Sequence, residues 1–138
     1  MKVAIFYFTT GGNTEAMADI LGTALTDNGV EVLKKAVSDA SAEDFEGVDV
    51  FALGSPAQGN EEMDETEFMP FYNANKALLK DKKVFLFGSF GWGGGEYMET
   101  FAEEAGKDEL NIIGIYTNLE APEGDAEQAL RDWAKKMI

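Results

Sequence analysis

Short apolar runs alternate with segments whose apolar residues recur at helical spacing along the whole chain. Val3-Ala4-Ile5-Phe6-Tyr7-Phe8 is nearly continuous in apolar character, so Lys2–Phe8 reads as a strand covered on both faces. From Glu15 to Asn28, residues Met17, Ile20, Leu21, Ala24 and Leu25 share one helical face, and Asn28-Gly29 stops the helix. Val30–Val37 begins with alternation and carries two lysines, as an edge strand does. Ser41-Ala42-Glu43-Asp44 predicts a capped turn before Phe45. Val48–Gly54 is a second buried strand, and an irregular acidic loop follows it. Phe68–Leu79 is a helix that tolerates Pro70 in its first turn. Lys83–Ser89 is the fourth strand. The next helix turns Met98, Phe101, Ala102 and Ala105 inward and ends at Gly106. Asn111–Thr117 is the fifth strand. The last helix carries Ala126, Ala129, Leu130, Trp133, Ala134 and Met137 on one face, with Asp125 and Gln128 as its capping box.

Strand and helix in alternation predict an α/β fold, a three-layer α-β-α sandwich with a doubly wound parallel sheet. Right-handed crossovers make 2-1-3-4-5 its natural strand order. In such sheets ligands bind beyond the carboxyl ends of the strands where the winding reverses, here between the first and third strands. Three loops should therefore converge: Thr9–Thr14, Ser55–Glu62 and Ser89–Gly95.

Composition narrows what those loops can do. A chain of 138 residues that is 45% hydrophobic is the size of one domain, spanning 1–138, with a substantial core. Its apolar runs fall far short of the ~20 residues of a membrane span, and the N-terminus lacks the pattern of a signal peptide, so a cytoplasmic protein without membrane contact is expected. The chain contains no Cys and no His, which removes thiol chemistry, Cys-ligated clusters and the usual general base. Chemistry is left to a bound cofactor. A net charge of −15 excludes a nucleic-acid footprint and suits basic protein partners.

The first loop is a phosphate cradle in the making. Thr9, Thr10 and Thr14 offer hydroxyls, Asn13 an amide, and Gly11-Gly12 close backbone approach, at a helix start whose N–H groups are free. The third loop carries an aromatic ring between glycines, Gly91-Trp92-Gly93, suited to stacking on a planar ligand; Trp133, on an apolar helical face, is core. The second loop, Ser55-Pro56-Ala57-Gln58-Gly59-Asn60-Glu61-Glu62, joins small residues to a carboxylate, Glu61, that can accept from a ring N–H.

TTGGNTEAMA after the first strand, GSPAQGNEEMDE after the third and FGSFGWGGGEYM at the fourth together resemble the flavodoxin family, its short-chain group in particular. The resemblance spans the whole chain and implies non-covalent FMN, one-electron transfer between redox proteins with basic docking surfaces, and a monomer that is a carrier, not an enzyme. It assigns Thr9, Gly12, Asn13 and Thr14 to the phosphate, Trp92 to one flavin face, and Gln58-Gly59-Asn60 to the other side and the N5 edge. Glu61 would face N3, and the backbone of Phe90 and Gly91 the pyrimidine end. Ser55, Pro56, Ala57 and Ser89 would line the ribityl path, with Gly93 beside Trp92. It also implies that one-electron reduction turns a peptide carbonyl toward N5, with Gly59-Asn60 as the hinge. The family loop usually has Gly where this chain has Thr10, and a hydroxyl where it has Gly11, so either Thr10 substitutes or one phosphate hydrogen bond is missing. Related short-chain proteins often carry Met in place of Gln58. The alternatives are a related FMN-dependent reductase or a ribonucleotide reductase activator. A phosphorelay receiver is rejected, since its acidic positions hold Thr9-Thr10 and Gly54-Ser55.

Overall fold

The computed structural model describes Met1–Ile138. Its strands are β1 (Lys2–Tyr7), β2 (Glu31–Ala36), β3 (Val50–Gly54), β4 (Lys83–Phe90) and β5 (Asn111–Leu119), and its helices are α1 (Asn13–Asp27), α2 (Phe68–Leu79), α3 (Glu96–Lys107) and α4 (Asp125–Ala134). All strand pairs are parallel, in the order β2-β1-β3-β4-β5. This is the predicted doubly wound sheet, with β2 at an edge.

Alternation along each strand sends its side chains into two separate cores. Val3, Ile5 and Tyr7 pack with Met17 and Leu21 of α1 and Leu130 and Trp133 of α4. Ala4, Phe6 and Phe8 pack on the opposite face with Phe68 and Tyr72 of α2 and Met98 and Phe101 of α3. Trp133 meets Phe85 edge-on at 5.5 Å, which makes it the core residue expected. Ala129, in contrast, is exposed.

The helix ends divide expectation from outcome. After α1, the Val30 N–H bonds to the Leu25 carbonyl and the Gly29 N–H to Thr26, with Gly29 at φ +78°. That is a Schellman stop at the expected place. The Ser41 turn is also capped as read, Asp44 accepting from the Ser41 N–H at 2.9 Å. Gly106 does not end α3, however. The helix continues through Lys107, and Glu109 takes the left-handed position at φ +68° while Leu110 N–H bonds back to Ala105. Nor do Asp125 and Gln128 form a box. Asp125 is already helical behind Gly124, and Gln128 donates to Asp132 instead. Because Gly106 lies inside a helix with open space at its Cβ, Gly106→Ala is expected to raise stability by about 0.5–1 kcal/mol, read as a higher urea midpoint.

Strands β4 and β5 run further than their patterns suggest. Phe90 pairs with Leu119, and the Glu120 N–H donates to the Phe90 carbonyl. The extension carries the sheet up to the glycine loop and sets that loop over the ends of β1 and β3.

Candidate functional site

The three loops come together where the winding reverses. Thr9, Thr10, Asn13 and Thr14 of the first, Pro56 and Ala57 of the second, and Ser89, Phe90 and Gly91 of the third border one small cavity of about 160 Å³. Backbone bonds hold the loops together: Phe8 N–H to Gly54, Ser55 N–H to Phe87 and Ala57 N–H to Ser89 carbonyls. The second loop is thereby laid along the end of β4.

At the first loop the Thr9 hydroxyl accepts from the Gly12 N–H at 3.0 Å, and Gly12 caps α1 at φ +93°. The N–H groups of Asn13, Thr14 and Glu15 have no acceptor in the chain, leaving a first helical turn of free donors aimed at an anion. Thr14 is fully buried and its hydroxyl lies 2.9 Å from that of Ser89. Both can turn toward a ligand from the cavity wall. Gly11 is exposed, outside the left-handed region, with nothing near its Cβ.

The second loop splits into two parts with different duties. Its front is a tight turn: Gln58 and Glu62 exchange both backbone hydrogen bonds, at 2.8 and 3.0 Å, around Gly59, Asn60 and Glu61. Gly59 sits at φ +55° and Glu61 at φ +57°. Asn60 is exposed at the tip. Gln58 points its amide at Thr10, donating at 2.9 Å, and so reaches the phosphate loop across the cleft. Its rear is structural. The Ser55 hydroxyl accepts from the Asp64 N–H at 3.0 Å and donates to the Pro56 carbonyl.

Asp64 is the residue that acidic composition hid. It is 3% exposed, and its carboxylate accepts from the Glu67 N–H at 2.8 Å, the Phe68 N–H at 2.9 Å and the Thr66 hydroxyl at 2.7 Å. Burial pulls its carboxyl up, but these donors, the Phe68 N–H first, outweigh it and hold it below the ordinary carboxylate value. Asp64 therefore stands apart from the exposed Glu62, Glu65 and Glu67 of the same acidic loop. It is the internal cap of α2.

Tyr97 is a second residue the pattern missed. Its hydroxyl donates to the Ser55 carbonyl at 2.8 Å and lies 3.2 Å from the Ser89 carbonyl, tying the ends of β3 and β4 beneath the site. Burial pushes its phenol above the usual range. Its position beside Met98, with Phe101 and Ala105 on the same stripe, is the signal that was available.

The third loop presents Trp92 at 64% exposure, whereas Trp133 is 7% exposed. Beside it Gly93 lies at φ +78°, and a Cβ there would overlap the Glu61 carboxylate. Only glycine leaves room for that side chain. Glu61 Oε1 is buried without a donor of any kind. A buried, unpartnered acceptor next to an exposed indole fits a planar ring with an N–H on its edge, and free helix N–H groups with two hydroxyls fit a phosphate beyond it. The residues present suit FMN at both ends.

Sheet order, switch-point crevice and donor set define a nucleotide-binding doubly wound domain. The flavodoxin family model matches residues 5–133. Flavodoxin of Megasphaera elsdenii is 37% identical over 125 residues, 91% of each chain, and that of Clostridium beijerinckii is 32% identical over 133 residues, 96% of each. The solution structure of two-electron reduced Megasphaera elsdenii flavodoxin superposes with a TM-score of 0.87 at 36% identity, covering 97% of this chain and 98% of that one. The chain belongs to the flavodoxin family, whose members are electron carriers with FMN as cofactor. The reductase and activator readings are not favoured.

Proposed function

We propose that the crevice holds FMN with its phosphate on Thr9, Thr10, Gly11, Gly12, Asn13 and Thr14, and its flavin ring between Trp92 and the Ala57–Asn60 segment. Glu61 accepts from flavin N3–H, and the Phe90 and Gly91 backbone meets the pyrimidine end. Ser55, Pro56 and Ser89 back the ribityl path, and Gly93 gives Glu61 its place. The observation that carries this reading is the buried Glu61 Oε1, which has no hydrogen-bond partner yet lies beside the most exposed aromatic ring of the chain. Bound FMN supplies one-electron redox chemistry, and the chain's part is to grip it, exclude water from one face and set its charge environment.

The rim supports single-electron exchange with basic redox partners. Glu62, Glu65, Glu67, Glu96 and Glu99 are exposed around the second and third loops, within a chain of net charge −15. Complementary charge speeds encounter. A carboxylate ~10 Å from the reduced flavin opposes its negative charge by about 0.4 kcal/mol in water-like dielectric, or roughly 15–20 mV. The same net charge keeps copies apart, in line with a monomer, and no helix is long and apolar enough to cross a membrane. A cytoplasmic carrier is the setting we propose.

The test is stepwise reduction of the purified protein followed by its visible spectrum. A yellow protein that passes through a distinct long-wavelength band at half reduction is expected. A colourless protein that does not take up added FMN overturns the reading.

A further inference from the structure

The amide of Gln58 donates to the hydroxyl oxygen of Thr10 at 2.9 Å, across 48 residues of sequence. This contact joins the first and second loops across the cleft between them. Thr10 borders both the small cavity with Asn13, Thr14 and Ser89 and a neighbouring cleft of about 400 Å³ with Gln58, Gly59 and Asn60. It is the wall the two share. Because its oxygen accepts from Gln58, its own hydroxyl hydrogen is left to donate. Gln58 in turn is fixed at the backbone by its pair of hydrogen bonds with Glu62, and the next residue is the left-handed Gly59. Gly11 beside it offers no side chain.

We infer that Gln58 is a positioning residue: it holds Thr10 so that the Thr10 hydroxyl serves the ligand's phosphate, and it thereby links phosphate binding to the turn at Gly59. This rests on the reading of Thr9–Thr14 as the phosphate cradle. The link is specific to a ligand that carries a phosphate. A flavin without one gains nothing from a held Thr10.

The test compares FMN with riboflavin, which differs only in the phosphate, by quenching of flavin fluorescence on titration into apoprotein. Gln58→Met and Thr10→Val remove one partner each with little change in volume. Each is expected to lower the ratio of FMN to riboflavin affinity roughly three- to tenfold, ring contacts common to both ligands cancelling in the ratio, and the double variant to lower that ratio no more than either single one. Thr10→Ser, which keeps the hydroxyl, restores FMN affinity. Additive losses, or equal losses for riboflavin and FMN, overturn the inference. Asn13→Ala is the arm that separates the two readings. If it lowers the FMN-to-riboflavin affinity ratio while Gln58→Met and Thr10→Val do not, the cradle stands and the inference fails. If it leaves the ratio unchanged, the cradle reading itself falls, and the inference with it.

Discussion

Asp64→Ala is expected to cost the fold about 2–4 kcal/mol, the sum of a lost helix cap and of donors left unsatisfied. The first turn of α2 depends on this one residue. Its carboxylate takes the Glu67 and Phe68 N–H groups, and its carbonyl takes that of Met69 at 2.9 Å. Pro70 has no N–H to satisfy, and the Phe71 N–H returns to the Glu67 carbonyl. With the side chain gone, the Phe68 N–H loses its acceptor in a buried place, and the Glu67 N–H and Thr66 hydroxyl lose theirs in half-buried ones. Urea melts measure the loss directly. The pH dependence gives an independent check. A carboxyl whose folded value is depressed contributes stability above its unfolded value of about 3.9, and that contribution is lost as pH falls through the lower folded value. Asp108, held down chiefly by the Tyr72 hydroxyl, and Asp44, held down chiefly by the Ser41 N–H, act in the same direction. The native protein should therefore lose stability below about pH 4, and Asp64→Ala should show a shallower acid limb there. A variant with an unchanged midpoint at neutral pH and an unchanged acid limb would remove Asp64 from this role.

The same residue marks where the sequence stops being legible. Strand order followed from alternation of apolar runs and helical stripes, because β1, β3 and β4 are covered on both faces and have no polar side to confuse the period. The convergence of three loops followed from topology alone. Asp64 did not, since one carboxylate among five acids looks solvated until the backbone folds back over it. Gly106 misled for a related reason. A glycine near a helix end is the commoner stop, but Leu110 fixes the end by bonding to Ala105, and that contact places Glu109 at the left-handed position. The Gln58 amide's hydrogen bond to Thr10 was not legible either. Side-chain reach across 48 residues leaves no periodic trace.

Trp92→Ala should weaken FMN binding by about five- to hundredfold, the range set by stacking of an aromatic side chain on a planar heterocycle, while leaving the urea midpoint of the apoprotein where it was. The asymmetry follows from exposure: at 64% the indole does little for the core, so its removal opens no cavity. Trp92→Phe, which keeps a ring face, should recover most of the affinity. Glu61→Ala acts on a different edge of the ligand and should add to the Trp92 loss, and it also relieves a buried oxygen that lacks a donor, so apoprotein stability should hold or rise as FMN affinity falls. Gly93→Ala tests the geometry between them. Its methyl would occupy the space of the Glu61 carboxylate, so it should weaken FMN in the native background and much less once Glu61 is already Ala. Independent losses from Gly93→Ala and Glu61→Ala would mean that the glycine serves the Trp92 loop's backbone and not the carboxylate beside it.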